Sequence, residues 1–479
     1  PFANLSSKPT TLSGYGITDA EPATGVFHAS TYGVAAANTA AANTTALNAA
    51  IAAAVAAGGK VILPRGVIRL NALASIVGAN SLVLEGQGKF AGGTVLEFQN
   101  ATGNCITFSG GGHNGIVDCY VTAGVRRTSG YAIVFTGSIF HPICDVRIDY
   151  HFDGVFVDGC SESSITAVMR YMYGWNGVRF AGTSSAQTYG GNIRLAADNP
   201  YPVNGNGARK TYASGLAVTA GEILWCPTSQ IIYQVVTNGS LAATEPSTIG
   251  GTGAADGWST NITSGTAQLR FVSRAMNWIV VTSWAYSIRL NQGTHLLNGY
   301  RGVLIEDPSN SEASRPKWVY LNYTETDHSY WNGVEVFRGD GVYICNAWLG
   351  SSLTGRGLMV DTGFNGDLSV DAGTRIVGNW LEGVYVGATK NIRIMGATIE
   401  ENSQVSVGGY NGLMLDGTTR FQVFGVTSKG ARQSYGIGLT PTCDYFSVVG
   451  NNVGGNNTGG ISNGTSASAN RREVVANIT

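Results

Sequence analysis

Charge is scarce in this 479-residue chain: 12% of the residues are Asp, Glu, Lys or Arg, against an ordinary share of about 25%. The formal net charge is −1, and no basic stretch is dense enough to neutralise a run of phosphates. Nucleic acid is therefore not an expected partner. No apolar run approaches the ~18 residues of a membrane span; the longest, residues 49–57, is short and alanine-rich. Residues 1–8 have neither the basic nor the apolar region of a secretory leader, so synthesis in a cytoplasm without membrane insertion is expected. The cysteines at 105, 119, 144, 160, 226, 345 and 443 are odd in number and form no C-x-x-C, which argues against a disulfide framework or a zinc site. Cys105, Cys144 and Cys345 lie in apolar strand patterns and read as buried thiols. Without a Walker loop, a nucleophile elbow or metal-ligand spacing, no cofactor or metal is expected.

Glycine is abundant: 67 residues, about twice the usual share of roughly 7%. With 43% hydrophobic residues, the chain can fill a large core and is not disordered. The glycines recur in a pattern. Gly154 and Gly177 each lead a short alternating apolar strand, as do Gly333, Gly357, Gly383, Gly412 and Gly436. The later steps of 24, 26, 29 and 24 residues mark stacked coils, one supersecondary unit per period. A second set of rows also matches: 319–325, 344–350, 376–382, 394–400 and 423–429. The spacing predicts roughly 14 coils, at about 4.8 Å each. Residues 206–272 break the period and read as short antiparallel strands with an Asn238-Gly239 hairpin.

Two segments before the coils carry a resemblance. Residues 8–20, reading KPTTLSGYGITDA, resemble the short repeat of phage tail fibres. An alanine-rich helix follows, with Asn43 or Thr44 at its start and Gly58 at its stop, and then VILPRG at 61–66. This succession is similar to the N-terminal cap of the pectate-lyase-like β-helix superfamily. The chain therefore resembles a bacteriophage tailspike: an all-β, right-handed parallel β-helix with a short capping helix and a small β-rich insertion. The expected boundaries are 1–42 for the tail-fibre-like segment, 43–205 for cap and first coils, 206–272 for the insertion, and 273–479 for the remaining coils. The resemblance implies a homotrimer joined to a phage tail or baseplate through its N-terminus. It also implies a virion protein acting at the host surface, with a bacterial surface polysaccharide, O-antigen or capsule, as partner. Such proteins include endo-glycosidases, polysaccharide lyases and adhesins that cut nothing.

The residues leave these alternatives open, with endo-glycosidase the first expectation. The second-strand rows place Glu325, Gly350, Glu382, Glu400 and Lys429 in one column. Stacked carboxylates raise one another's pKa, and a raised carboxyl beside an ionised one is the pair that glycoside hydrolysis requires. Glu382 and Glu400 on adjacent coils are the first candidates, with Glu325 above them. The stretch 324–331 concentrates Glu325, Asp327, His328 and Trp331, an acid–base set with an aromatic platform. The same rows align Trp348 with Trp380 behind Tyr323, as a stacking ladder for sugar faces, and pair Arg375 with Arg393 to hold an acidic sugar. In a lyase, His328, Tyr323 or an arginine serves as base while Arg375 or Arg393 neutralises the uronate. The other histidines, His28 and His141 among them, show no pairing and read as structural. Asp158, Asp361 and Asp416 end strands and read as turn residues. In the insertion, Trp225, Tyr233 and Trp258 either stack on sugar or form its core.

Overall fold

In the computed structural model the described residues are 25–90, 92–199, 209–465, 472–475 and 477–478. The tail-fibre-like stretch at 8–20 lies outside them. The chain winds as a parallel β-helix, each full coil laying one strand on each of three ladders. One coil shows the scheme: Val334–Val336 on the first ladder, Asp340–Cys345 on the second, Trp348–Gly350 on the third. The first ladder has 13 strands, from Ile76–Val77 to Gly459–Asn463, all parallel. The second and third run side by side, and early strands such as Gly115–Ala123 and Ile143–Asp149 are long enough to serve both.

The leading glycines occupy the expected rungs. Val334 pairs with Leu358, Leu358 with Val384, Val384 with Leu413 and Leu413 with Ile437. The coil path explains why glycine recurs there. A Cβ on Gly357 would lie 2.5 Å from Cγ2 of Ile376, and one on Gly412 would lie 2.2 Å from Oγ of Ser428. At these rungs the first ladder enters against the inward column of the third, and only a residue without a side chain fits. Valine, isoleucine and leucine fill the interior, with like side chains stacked between rungs: Phe108 on Phe135 at 5.1 Å and Phe421 on Phe446 at 4.8 Å.

The helix Ala40–Ala57 covers the first coil. Thr39 caps its start, and Gly58 ends it at φ +69°. Its cap lies four residues ahead of Asn43, the nearer of the two expected caps; Asn43 instead turns inward and hydrogen-bonds both the N–H and C=O of Ala35. This helix is long and apolar enough to cross a membrane; its Leu47, Ala50, Ile51 and Ala54 are buried against the coil.

Residues 209–274 leave the coil path. They form a five-stranded sheet, mostly antiparallel, and a two-stranded ribbon that pairs Ala217–Val218 with Gly239–Ser240. The hairpin differs from expectation: Ile223–Cys226 turns back into Ile231–Thr237 through residues 227–230. Asn238 and Gly239 carry the chain out of the sheet, and Asn238 Oδ1 accepts from the Ala220 N–H. Tyr233 is buried, with its hydroxyl on the Thr248 carbonyl, and Trp225 stacks on Tyr300 of the stem at 5.1 Å. These two aromatics pack the module together and against the coils; the Trp258 side chain lies outside the described set.

All seven cysteines are free thiols. Six are buried, and burial pushes the Cys105 thiol up to about 12. Cys345 departs from the expected buried set: it is half-buried at a corner, its sulfur 2.8 Å from Asn322 Oδ1.

Candidate functional site

Each coil turns its corners through residues of positive φ. At the corner between the second and third ladders these are Tyr323 (+51°), Asn346 (+50°) and Gly396 (+63°); beyond the third ladder they include Asn298 (+57°), His328 (+53°) and Ser351 (+52°). Left-handed backbone is uncommon outside glycine. Here the ladder on either side enforces it, and it turns Tyr323 and His328 toward solvent. Tyr323 is 55% exposed.

Between these corners the third ladder alternates. Its inward column is Ala197, Leu296, Thr326, Leu349, Ile376 and Ile399, all buried. Two outward columns flank it. One runs Ala196, His295, Glu325, Trp348, Arg375, Thr398; the other runs Asp198, Leu297, Asp327, Gly350, Val377, Glu400, Lys429. They lie about 6.6 Å apart, two residues of extended chain.

The outward face forms a groove. A cavity of about 510 Å³ is lined by Arg194, His295, Tyr323, Glu325, Asn346 and Trp348. His295 Nδ1 lies 2.5 Å from Glu325 Oε2. Both side chains are more than a third exposed, so the pair adds only about 0–1 kcal/mol of stability. Its consequence is the tautomer: with Nδ1–H donated to the carboxylate, Nε2 of a neutral imidazole is left as a proton acceptor. Arg194 faces the cavity with no ion pair or hydrogen bond to another described residue, its Nε 2.8 Å from where a Cβ on Gly293 would stand.

A second carboxylate–imidazole pair sits beside the first. His328 Nδ1 is 3.1 Å from Asp327 Oδ2, and the His328 N–H donates to Asp327 Oδ1. Burial pushes the Asp327 carboxyl up, but the hydrogen bond and charge of His328, with Ser351, outweigh it and hold the group below its ordinary value. The hydrogen bond that His328 donates to Asp327, with the charge of that carboxylate, raises His328, against burial and the charge of Arg209. A lowered Asp stabilises the fold above its unfolded pKa, near 3.9, and a raised His below its own, near 6.5. The pair is thus fully stabilising only between those values. The stability advantage of the wild type over a His328→Gln variant, measured by thermal melting, is expected to peak at mildly acidic pH. It should shrink as pH rises through the His328 pKa and again as pH falls through that of Asp327.

Trp348 closes the groove wall. A Cβ on Gly350 would lie 2.4 Å from Trp348 Nε1 and 3.3 Å from Asp327 Oδ1, so the missing side chain lets the indole lie along the strand beside Asp327. The Arg375 guanidinium stands 5.5 Å from the Trp348 ring and 3.3 Å from Glu400 Oε2.

Seven of the residues singled out from the sequence thus share one face: Tyr323, Glu325, Asp327, His328, Trp348, Arg375 and Glu400. The expected column of acids does not form. Leu321, not Val319, pairs with Ile344, so the first row slips by two residues and Asp327, not Glu325, stands over Gly350. Ile376 pairs with Leu349 on the third ladder, while Ile344 pairs with Val370 on the second. The 376–382 row therefore slips by six on the second ladder and by five on the third. Glu382 falls in the turn after the third ladder, where it is buried and accepts from Arg356 Nε at 2.8 Å; it does not stack with Glu400. Trp380 lies in the same turn under the Arg209 guanidinium at 4.4 Å, out of line with Trp348. Arg393 belongs to the second ladder, pairing with Ser369 and Gln422, and does not align with Arg375. Trp331 is half-buried in the turn after His328, its N–H on the Tyr300 carbonyl.

Three groove residues escaped the sequence reading: Arg194, Asp198 and His295. His295 read as structural because its partner stands 30 residues away, one coil on. Asp198, at the head of the second outward column, accepts from Asn298 at 2.9 Å. His141 is likewise paired, with Glu162 at 3.3 Å. Of the strand-ending acids, Asp416 accepts from the Tyr385 hydroxyl at 2.7 Å and Asp361 stands 3.7 Å from Arg338. No group of three or more His, Cys, Asp or Glu with metal-binding geometry occurs among the described residues.

No protein-family model and no curated protein sequence matches the chain. Among solved structures it is similar to the A-module of the mannuronan C-5 epimerase AlgE6 of Azotobacter vinelandii, at 14% identity and TM-score 0.49, over 94% of this chain and 98% of that one. It is similar to tailspike protein 3 of bacteriophage CBA120 at 11% identity and TM-score 0.43, over 98% and 64%. The Dettilon tailspike protein matches at 13% identity and TM-score 0.39, over 91% and 68%. At these identities no site residue carries across.

Proposed function

We propose that the third-ladder groove binds and cuts an acidic polysaccharide, and that the protein is a tailspike-type depolymerase of a bacterial surface glycan. The observation that carries the reading is the cavity holding the His295–Glu325 pair, Tyr323 and the unpaired Arg194. A long open face suits an extended polymer, and Trp348 offers a platform for a pyranose ring.

These residues favour elimination over the hydrolysis expected from a Glu382–Glu400 pair. Hydrolysis needs a carboxyl held neutral as general acid. In the groove, Asp327 is held ionised, while Glu325 and Glu400 each face a basic side chain. Elimination needs a cation on the uronate carboxylate, a base and an acid. Arg194 takes the carboxylate. His295 Nε2 removes the proton α to it, at C5. The freed electron pair forms the C4–C5 double bond as the C4–O4 bond breaks, and the Tyr323 phenol protonates the departing oxygen. Glu325 keeps the imidazole oriented and stabilises the imidazolium that forms.

The test is incubation with acidic bacterial polysaccharides while reducing ends and the ultraviolet absorbance of unsaturated uronate are followed together. Both rising in step is the expected result. Reducing ends alone mean hydrolysis, and neither means a binding protein without cleavage.

A further inference from the structure

A second open recess lies on the outward face of the second ladder, toward the C-terminal coils. It encloses about 700 Å³ and is lined by Tyr343, Asp367, Asn391, Arg393, Arg420 and Tyr445, among others. Two columns supply its lining and run on past it to the rung of Trp318 and Tyr320. One is the outward strand position: Tyr320, Tyr343, Ser369, Arg393, Gln422 and Ser447, in register from rung to rung. The other lies at the start of each strand, one residue before it in the case of Asp367, and runs Trp318, Gly341, Asp367, Asn391, Arg420, Tyr445. Five of these six have left-handed backbone, with φ of +56°, +72°, +60°, +55° and +50° for Trp318, Gly341, Asn391, Arg420 and Tyr445.

A repeated left-handed bulge turns the side chains of Trp318, Asn391, Arg420 and Tyr445 outward. Tryptophan, arginine and tyrosine gain nothing in backbone energy there. Their exposure is equally uneconomical: Trp318 is 45% exposed and Tyr445 47%. Arg393 and Arg420 are exposed and have no ion pair or hydrogen bond to any described residue, although Asp367 lines the same recess. Tyr320 and Tyr343 stack at 5.0 Å, which holds the Tyr343 ring as a fixed platform on the recess wall. Aromatic platforms at both ends with two free guanidiniums between them suit a ribbon of sugars carrying negative charge.

The span also fits a polymer. Five rungs separate Trp318 from Tyr445, about 24 Å along the stem. The centre of the recess lies between three and four coils beyond the His295 cavity, about 17 Å along the same axis. We infer that this recess is a holding track for the same acidic polysaccharide, gripping a stretch of chain several coils away from the point of cleavage. The inference rests on the function proposed above.

A double variant, Arg420→Asn with Tyr445→Asn, tests it, since asparagine tolerates left-handed backbone and both residues are remote from the His295 cavity. The probes are polygalacturonate, alginate and hyaluronan, each as intact chains and as tetrasaccharides. On the chains that the wild type cuts, the variant is expected to lose roughly tenfold or more in affinity, the worth of one good contact. Its turnover of the corresponding tetrasaccharide should stay within about twofold of wild type. Intact-chain affinity equal to wild type overturns the track, as does an equal loss on tetrasaccharide and polymer. A wild type that neither binds nor cuts any of the three overturns the proposed function and the track together.

Discussion

A His295→Gln variant is expected to lose roughly 10²–10⁴-fold in the rate of elimination, the usual worth of a positioned general base. Glutamine fills similar space and still offers an N–H to Glu325, so the 2.5 Å contact has a successor and the carboxylate is not left unpaired. What disappears is the nitrogen lone pair that accepts the substrate proton. The loss should therefore fall on kcat, with KM nearly unchanged, because the groups that hold the polymer, Arg194 and Trp348, remain. Arg194→Gln should show the complementary pattern. It raises KM and lowers kcat together, since the same cation binds the ground-state carboxylate and stabilises the charge that develops as the proton leaves. Glu325→Gln leaves the base in place but loosens its tautomer, and its loss should be smaller than that of His295→Gln. Steady-state kinetics on one polymer with the three variants separates these roles. An unchanged kcat in His295→Gln would remove the residue from the chemistry.

Glu335→Ala is expected to cost about 3–5 kcal/mol of stability. Glu335 points outward from the first ladder yet is only 3% exposed. Arg301 Nε lies 2.5 Å from its Oε2, and Asn332 Nδ2 donates to the same oxygen at 2.8 Å. Removing the carboxylate strands a guanidinium that is itself largely buried, and that uncompensated charge causes the loss. The Arg301 guanidinium also lies 4.8 Å from the Tyr300 ring, which stacks on Trp225 of the inserted module. The damage should therefore reach the join between module and stem. An Arg301→Met/Glu335→Met double variant removes both charges and should recover most of the loss, because the desolvation cost goes with the pair. Urea midpoints for the two variants give the comparison. A single variant as stable as wild type would show that water reaches the pair.

The fold was legible because its cause is local and repeated. In most coils the glycine before a first-ladder strand answers one steric demand, the approach of the third-ladder core, although Ala132 and Trp278 hold that place in two others. The second and third ladders lack such a mark. Their shared corner takes Tyr323 or Asn346 as readily as Gly396, so nothing in the text shows where one ladder ends and the next begins. An Ile-x-x-x-Trp-Leu likeness between 344–349 and 376–381 then drew the third-ladder row out of register by five residues, and Glu382 with it. The stretch 324–331 was found because its chemistry is contiguous. His295 was not, since its meaning depends on a residue one coil away and a slip of two positions hides it. In a solenoid, functional pairs form across rungs, and the register must be right to the residue before they can be seen.

The central claim is that the groove around His295, Tyr323 and Arg194 cleaves an acidic glycan by elimination. It is tested most directly by a time course of wild type and His295→Gln on one acidic bacterial polysaccharide, with unsaturated product and chain length read from the same samples. Chains shortened with one unsaturated end per cut by wild type, and left intact by the variant, are the predicted result. Shortened chains with saturated ends, or equal shortening by both proteins, would contradict it.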